Sequence, residues 1–338
     1  MQLSICIPTY NRAAHLANCL QSLISNQVRS KVKFQVCVSD NCSTDETENV
    51  VRRVQASIAI KYHKNLTNLG IPRNFLNAVA MADGEFVWLI GDDDLLLPFA
   101  IEQLSQLIEK YSSVDYFYVN SFHLTTQYVF SFPQPFDTAN LPLTMEPFSS
   151  WPHSCEMKFM DLIDPRISFD FLGGMYLSVF RRKYWIANTQ AIDGAAFVDN
   201  RVFSNFDNTF PHVKIFAKAF ANSRAYFHGR PLSVCLSGAR EWVSMYPLVR
   251  SVRLVEALDE YRENGLPYIK YLRCKNYALR NFIPDFAYMC IAGNSSGLAY
   301  VRPARLFISN CLYPNLYFSV FYYFARKIKA FLGKCVMF

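Results

Sequence analysis

Short apolar runs recur along the first 120 positions, and stretches of helical spacing separate them. Leu3-Ser4-Ile5-Cys6-Ile7, Phe34-Gln35-Val36-Cys37-Val38, Ile58-Ala59-Ile60-Lys61-Tyr62, Phe86-Val87-Trp88-Leu89-Ile90 and Tyr116-Phe117-Tyr118-Val119 read as strands. Between them, Leu16, Leu20, Leu23 and Ile24 share one helical face, and Val50, Val51 and Val54 mark a second helix. Pro72 suits the start of a third helix reaching Met81, and Ile101, Leu104, Leu107 and Ile108 mark a fourth. Ser43-Thr44-Asp45-Glu46 has the form of a capping box, which predicts that the second helix starts there. Strands spaced by crossover helices predict an α/β fold with a Rossmann-like, mostly parallel sheet flanked by helices.

Polar residues gather where these strands end. Pro8, Thr9, Tyr10 and Arg12 follow the first; Asp40, Asn41 and Ser43 the second; Asn68, Gly70 and Asn74 the third; Asp92, Asp93 and Asp94 the fourth. In a doubly wound sheet such loops converge on one crevice, and a nucleotide suits it. Asp40 can accept from a base N–H or a ribose hydroxyl. Three adjacent carboxylates repel unless a cation offsets them, and hard oxygen ligands favour Mg²⁺ or Mn²⁺ bridging to a diphosphate. Each motif has a structural reading too: Thr9 and Asn11 as helix caps, Asp45 at a helix dipole, Asn68-Leu69-Gly70 as a turn, the acids as a solvated turn. Their joint occurrence at four strand ends favours the site.

In order and spacing, Ile7-Pro8-Thr9-Tyr10-Asn11-Arg12, Ser39-Asp40-Asn41-Cys42-Ser43-Thr44-Asp45, Asn68-Leu69-Gly70 with Arg73-Asn74, and Gly91-Asp92-Asp93-Asp94 resemble the motifs of the family 2 glycosyltransferases of GT-A fold. The resemblance covers about residues 1–110. It implies a CDP-, UDP-, GDP- or dTDP-sugar donor and a divalent metal. Gly91 stands where the family's acidic motif usually begins, so Asp93 and Asp94 match the metal-binding acids and Asp92 the variable position. The stretch Phe169–Trp185 and the segment Asn208-Thr209-Phe210-Pro211-His212-Val213 are similar to abequosyltransferase-like enzymes of lipopolysaccharide O-antigen assembly. Many family members carry a Glu-Asp pair, whose Asp is the acceptor base, where Pro211-His212 stands here. The resemblance therefore points to His212 as base, with Asp207 as the second choice. It further implies a polyprenyl-diphosphate-linked oligosaccharide acceptor. The transferred sugar is expected to be a 3,6-dideoxyhexose such as abequose, or another hexose for a different surface polysaccharide.

Charge divides the chain. Residues 1–240 balance 21 basic against 21 acidic residues, whereas residues 241–338 carry 13 against 6. A catalytic domain over 1–240 and a helical, aromatic and basic appendage over 241–338 are expected. Between Arg305 and Arg326 lie 20 uncharged residues rich in Phe and Tyr, long enough to span a bilayer. Ser309, Asn310, Pro314 and Asn315 oppose spanning, so an interfacial segment on the inner face of the cytoplasmic membrane is expected, with packing on the catalytic core as the alternative. No basic nucleic-acid signature is present. The start of the chain lacks a secretory pattern and the 10 cysteines show no C-x-x-C pair, which fits a cytoplasmic protein with reduced thiols. A nucleotidyltransferase is disfavoured because no Gly-rich, basic phosphate loop lies near residue 10. A non-catalytic nucleotide-sugar-binding relic is opposed by Asp93 and Asp94.

Overall fold

The computed structural model describes residues 2–335 apart from 31, 200 and 239–241, with side chains up to 329. The expected boundary at 240/241 lies outside the described residues. Nine strands form one sheet: β1 Leu3–Thr9, β2 Gln35–Asp40, β3 Ile60–Lys64, β4 Phe86–Leu89, β5 Asp94–Leu96, β6 Tyr116–Thr125, β7 Cys155–Lys158, β8 Ser178–Arg181 and β9 Arg224–Ser237. Their order is β3-β2-β1-β4-β8-β6-β9-β5, with β7 on β9. The half β3-β2-β1-β4 is wholly parallel. The second half is mixed, since β8 runs antiparallel to both β4 and β6, while β6 and β9 are parallel. The α/β architecture expected from the apolar pattern is thus observed.

The helices that cross between the parallel strands are α1 Ala13–Arg29, α2 Thr47–Val54 and α3 Gly70–Ala80, and α4 Ala100–Lys110 follows β5. Leu16, Leu20 and Leu23 of α1 are fully buried, as their spacing requires. Shorter helices α5 Thr126–Phe130, α6 Arg182–Ala187, α7 Phe206–Thr209 and α8 Pro211–Ala219 belong to the mixed half. The chain ends in α9 Tyr246–Leu248, α10 Leu254–Glu263, α11 Tyr268–Ala278, α12 Phe282–Ala292, α13 Pro303–Asn310 and α14 Pro314–Cys335. Leu254, Leu258, Tyr261, Phe282 and Leu316 from these last helices join the hydrophobic cluster that holds the sheet.

Three local expectations are corrected. The capping box does not form: α2 begins at Thr47, and the Ser43 hydroxyl accepts the Asn11 N–H at 2.8 Å instead. A long-range loop contact takes the hydroxyl away from its local role. The third strand starts two residues late, at Ile60, where register with Val36 begins. Asp94 opens the short strand β5, paired with β9, which the polar Gly-Asp-Asp-Asp run concealed.

Candidate active site

Strands β2 and β4 flank β1, so chain order reverses between β1 and β4, and this switch point opens the crevice. The loops that follow the two strands meet there. Thr9 Oγ1 donates to Asp92 Oδ2 at 2.8 Å. The Arg12 guanidinium lies 3.5 Å from Asp92 Oδ1 and 3.2 Å from Asp93 Oδ2. Burial and the Asp93 charge beside it push the Asp92 carboxyl up to about 7, against the pull of Arg12 and Thr9. Asp94 turns inward, its Oδ2 accepting the Gly91 N–H at 2.7 Å. The three acids therefore separate: Asp92 and Asp93 address the crevice cation Arg12, and Asp94 closes the turn that presents them.

Asp40 is fully buried, its Oδ1 accepting the Ser43 N–H at 2.8 Å and its Oδ2 the Tyr62 hydroxyl at 2.7 Å. Tyr62 is a partner that sequence reasoning missed; only its place in β3, the strand beside the one that carries Asp40, signals it. Asn41, Asn68, Gly70 and Asn74 are tied to each other. Asn41 Nδ2 donates to Asn68 Oδ1 at 2.7 Å, and the Leu69 N–H donates to Asn41 Oδ1 at 2.8 Å. Asn68 Oδ1 also accepts the Gly70 N–H at 2.9 Å. Asn74 Oδ1 accepts from the Ser39 hydroxyl at 2.7 Å, and its Nδ2 donates to Thr9 O at 3.3 Å. Asn65 adds bonds to both Asn41 and Asn74. Asn11 and Cys42 adopt left-handed φ of 52° and 67°, so the loops after β1 and β2 are bent sharply at the crevice. Pro8 is buried in β1, whereas Tyr10 remains 44 % exposed at the mouth.

The two base candidates sit on consecutive short helices, α7 and α8, packed beside α3. Asp207 is buried, and its Oδ2 accepts from the Asp193 N–H at 2.6 Å and from Lys214 Nζ at 3.0 Å. His212 is only 2 % exposed, with Nε2 at 3.1 Å from Leu172 O and 3.0 Å from Gly173 O. Burial pulls its imidazole down to about 4, against the two carbonyls. Its Nδ1 is buried with no hydrogen-bond partner. A ring with one nitrogen spent on carbonyls and the other enclosed does not suit a base that must reach a substrate hydroxyl. In this structure the His212 ring is engaged with the backbone of residues 172 and 173. The cause is the turn that faces it. Phe171 and Leu172 in that turn hold left-handed φ of 46° and 67°, which for side chains with a Cβ costs on the order of 1–3 kcal/mol each.

The family model for glycosyl transferase family 2 matches residues 4–155. The abequosyltransferase RfbV of Salmonella typhimurium is 38 % identical over 116 residues, which are 34 % of this chain and 34 % of the relative. The GalNAc(5)-diNAcBac-PP-undecaprenol beta-1,3-glucosyltransferase of Campylobacter jejuni is 35 % identical over 107 residues, 31 % of this chain and 34 % of the relative. Both alignments span about a third of these relatives' length. In structure, TarS 1–349 of S. aureus in complex with UDP-GlcNAc superposes with TM-score 0.58 at 18 % identity, over 83 % of this chain and 72 % of that one. At that identity the likeness establishes the fold, which is the GT-A fold.

Proposed function

We propose, from the premise that residues 4–155 are a family 2 glycosyltransferase domain, that this protein moves a sugar from a nucleotide-sugar donor to a lipid-linked oligosaccharide in surface polysaccharide assembly. The observation that carries the reading is the Asp92–Asp93 pair facing Arg12 across the switch-point crevice. The match to an abequosyltransferase supports abequose as the donor sugar, and the match to a PP-undecaprenol glucosyltransferase supports a polyprenyl-diphosphate acceptor.

The carboxylates fit a hard divalent cation, Mg²⁺ or Mn²⁺. Asp92 is pushed up because it is buried beside Asp93, and a cation would relieve that repulsion. Among the described residues no cluster of three or more His, Cys, Asp or Glu side chains converges on one point, so the diphosphate and water would complete the ligand set. Asp93 would hold the ion, and Asp94 would join it on giving up the Gly91 N–H. When bound, the ion neutralises the diphosphate leaving group. Arg12 adds a fixed positive charge on the same side. Asp207 takes the proton of the acceptor hydroxyl in an inverting transfer: its bonds to Asp193 N–H and Lys214 Nζ both go to Oδ2, which leaves Oδ1 for that proton. Residues 1–240 would hold the donor and the chemistry, and residues 241–338 would meet the acceptor at the inner face of the cytoplasmic membrane.

A thermal-shift panel of CDP-, UDP-, GDP- and dTDP-sugars, with and without Mn²⁺, tests the reading. One donor is expected to stabilise the protein, by about 2.7 kcal/mol at a hundredfold excess over Kd. Asp93→Asn should lose the metal-dependent part of that gain and abolish transfer while keeping the unliganded Tm. A panel with no shift in either condition would overturn the proposal.

A further inference from the structure

The turn Phe171–Gly174 is held from three sides. From within, the Asp170 carboxylate accepts the Leu172 N–H at 3.2 Å and the Gly174 N–H at 2.9 Å. From α10, the Tyr261 hydroxyl donates to Phe171 O at 3.2 Å. From α8, His212 Nε2 lies between the carbonyls of Leu172 and Gly173, 3.1 Å and 3.0 Å away. Carbonyls only accept, so Nε2 carries the proton and Nδ1 the lone pair.

The surroundings of that imidazole are apolar. The rings of Phe75 on α3, Phe210 and Phe216 face it at centroid distances of 6.1, 6.1 and 5.6 Å. No charged side chain contributes to the lowering of its pKa. Phe210 also closes on the turn, since a Cβ added to Gly173 would lie 3.0 Å from its ring. Phe210 directly follows α7, the helix that carries Asp207, so one aromatic side chain links the turn, the histidine and the carboxylate helix.

We propose that His212 is a positioning residue for the transfer reaction: as a neutral imidazole it seats the strained turn 171–174 against α7 and α8, fixing that wall relative to Asp207. The inference rests on the transferase reading above. It assigns no proton transfer to His212. The ring acts through the backbone it holds, and its charge stays zero throughout turnover.

The test uses the full-length protein in three forms: wild type, His212→Ala and His212→Gln. A glutamine amide N–H reaches the carbonyls as Nε2 does, yet it has no basic nitrogen. Hydrogen exchange of the amides of residues 170–176 is expected to rise about tenfold in His212→Ala and to return close to wild type in His212→Gln. With the donor that the panel identifies, kcat should fall in the alanine variant and recover in the glutamine variant, with donor KM unchanged. The pH profile of kcat should have the same shape in wild type and His212→Gln. Unchanged exchange in His212→Ala would overturn the inference. So would a folded His212→Gln as inactive as the alanine form, which would make the ring the base. A wild-type protein that binds no donor would overturn the transferase reading, and with it the role in transfer, while exchange still decides whether His212 anchors the turn.

Discussion

Asp92, Asp93 and Asp94 are neighbours in sequence, and partners far along the chain give them different surroundings. Thr9 ends β1 and Arg12 lies in the loop after it, about eighty positions earlier, and nothing in a run of three aspartates signals which of them will meet that segment. The residue types and strand-end positions of the candidate site were legible; the division of labour among them was not. His228 shows the same limit. It lies in β9 with both ring nitrogens buried and without hydrogen-bond partners, and burial, assisted by Arg230, pulls it down to about 4. Its unfolded-state value is near 6.5. Between those values the unfolded chain binds a proton that the native state refuses, so His228 favours the fold fully above pH 6.5 and progressively less as pH falls towards 4. His212 acts in the same direction. His228→Phe should therefore reduce the stability lost between pH 7.5 and pH 4.5 by on the order of 1–3 kcal/mol, measured from urea midpoints at the two pH values. A loss equal to that of wild type would show that His228 is protonated in the native state.

At the scale of elements, periodicity reveals those whose burial is simple. α1 and the parallel strands follow their apolar patterns, because one face or both faces meet a single core. The elements that escape such reading are held by distant partners: β5 by β9, the start of α2 by the loop after β1, and the turn 171–174 by α8 and α10. That turn yields a sharp expectation. Gly174 has an ordinary backbone φ of −82°, so its conformation would admit alanine. A Cβ there, however, would lie 2.6 Å from Asp170 Oδ2 and 3.0 Å from the Tyr176 ring. Gly174→Ala must displace the carboxylate that holds two amides of the turn. It should cost about 1–3 kcal/mol in chemical unfolding and lower transfer. Stability equal to wild type would mean that the Asp170 contacts hold the turn only weakly.

Across the whole molecule, the last helices have two faces. Leu316 and Ser319 of α14 are buried, and the Ile283 N–H donates to the Ser319 hydroxyl at 3.1 Å. From Val320 to Lys329 every residue is exposed, including Phe321, Tyr322, Tyr323, Phe324 and Ile328. Among the described residues no helix is long and apolar enough to cross a membrane. An aromatic helix with Arg326, Lys327 and Lys329 at its far end suits the headgroup region of an anionic bilayer. α10 and the start of α14 pack on the core, as the alternative expectation for the appendage has it, while the exposed stretch 320–329 stays tied to the 279–281 turn through Arg326, which donates to Asn281 Oδ1 at 2.6 Å. Sedimentation with phosphatidylcholine vesicles containing phosphatidylglycerol should carry the protein down at low salt, and binding should weaken with salt at about 1 kcal/mol per basic residue engaged. Removal of residues 320–338 should abolish that binding and leave the Tm nearly unchanged. Binding that survives the truncation would place the membrane contact elsewhere.

The asparagines around the crevice carry one more consequence. Asn41, Asn65, Asn68 and Asn74 join the loops after β1, β2 and β3 through carboxamides, which neither gain nor lose protons between acid and alkaline pH. The nucleotide-sugar donor proposed above would bring negative charge into this cleft, and product departure would remove it. A frame built from carboxylates and lysines would be pulled by each arrival and departure. A frame of neutral amides would feel neither change, so in the proposed reaction the charged groups beside it, Arg12, Asp92 and Asp93, would answer the ligand from a fixed base.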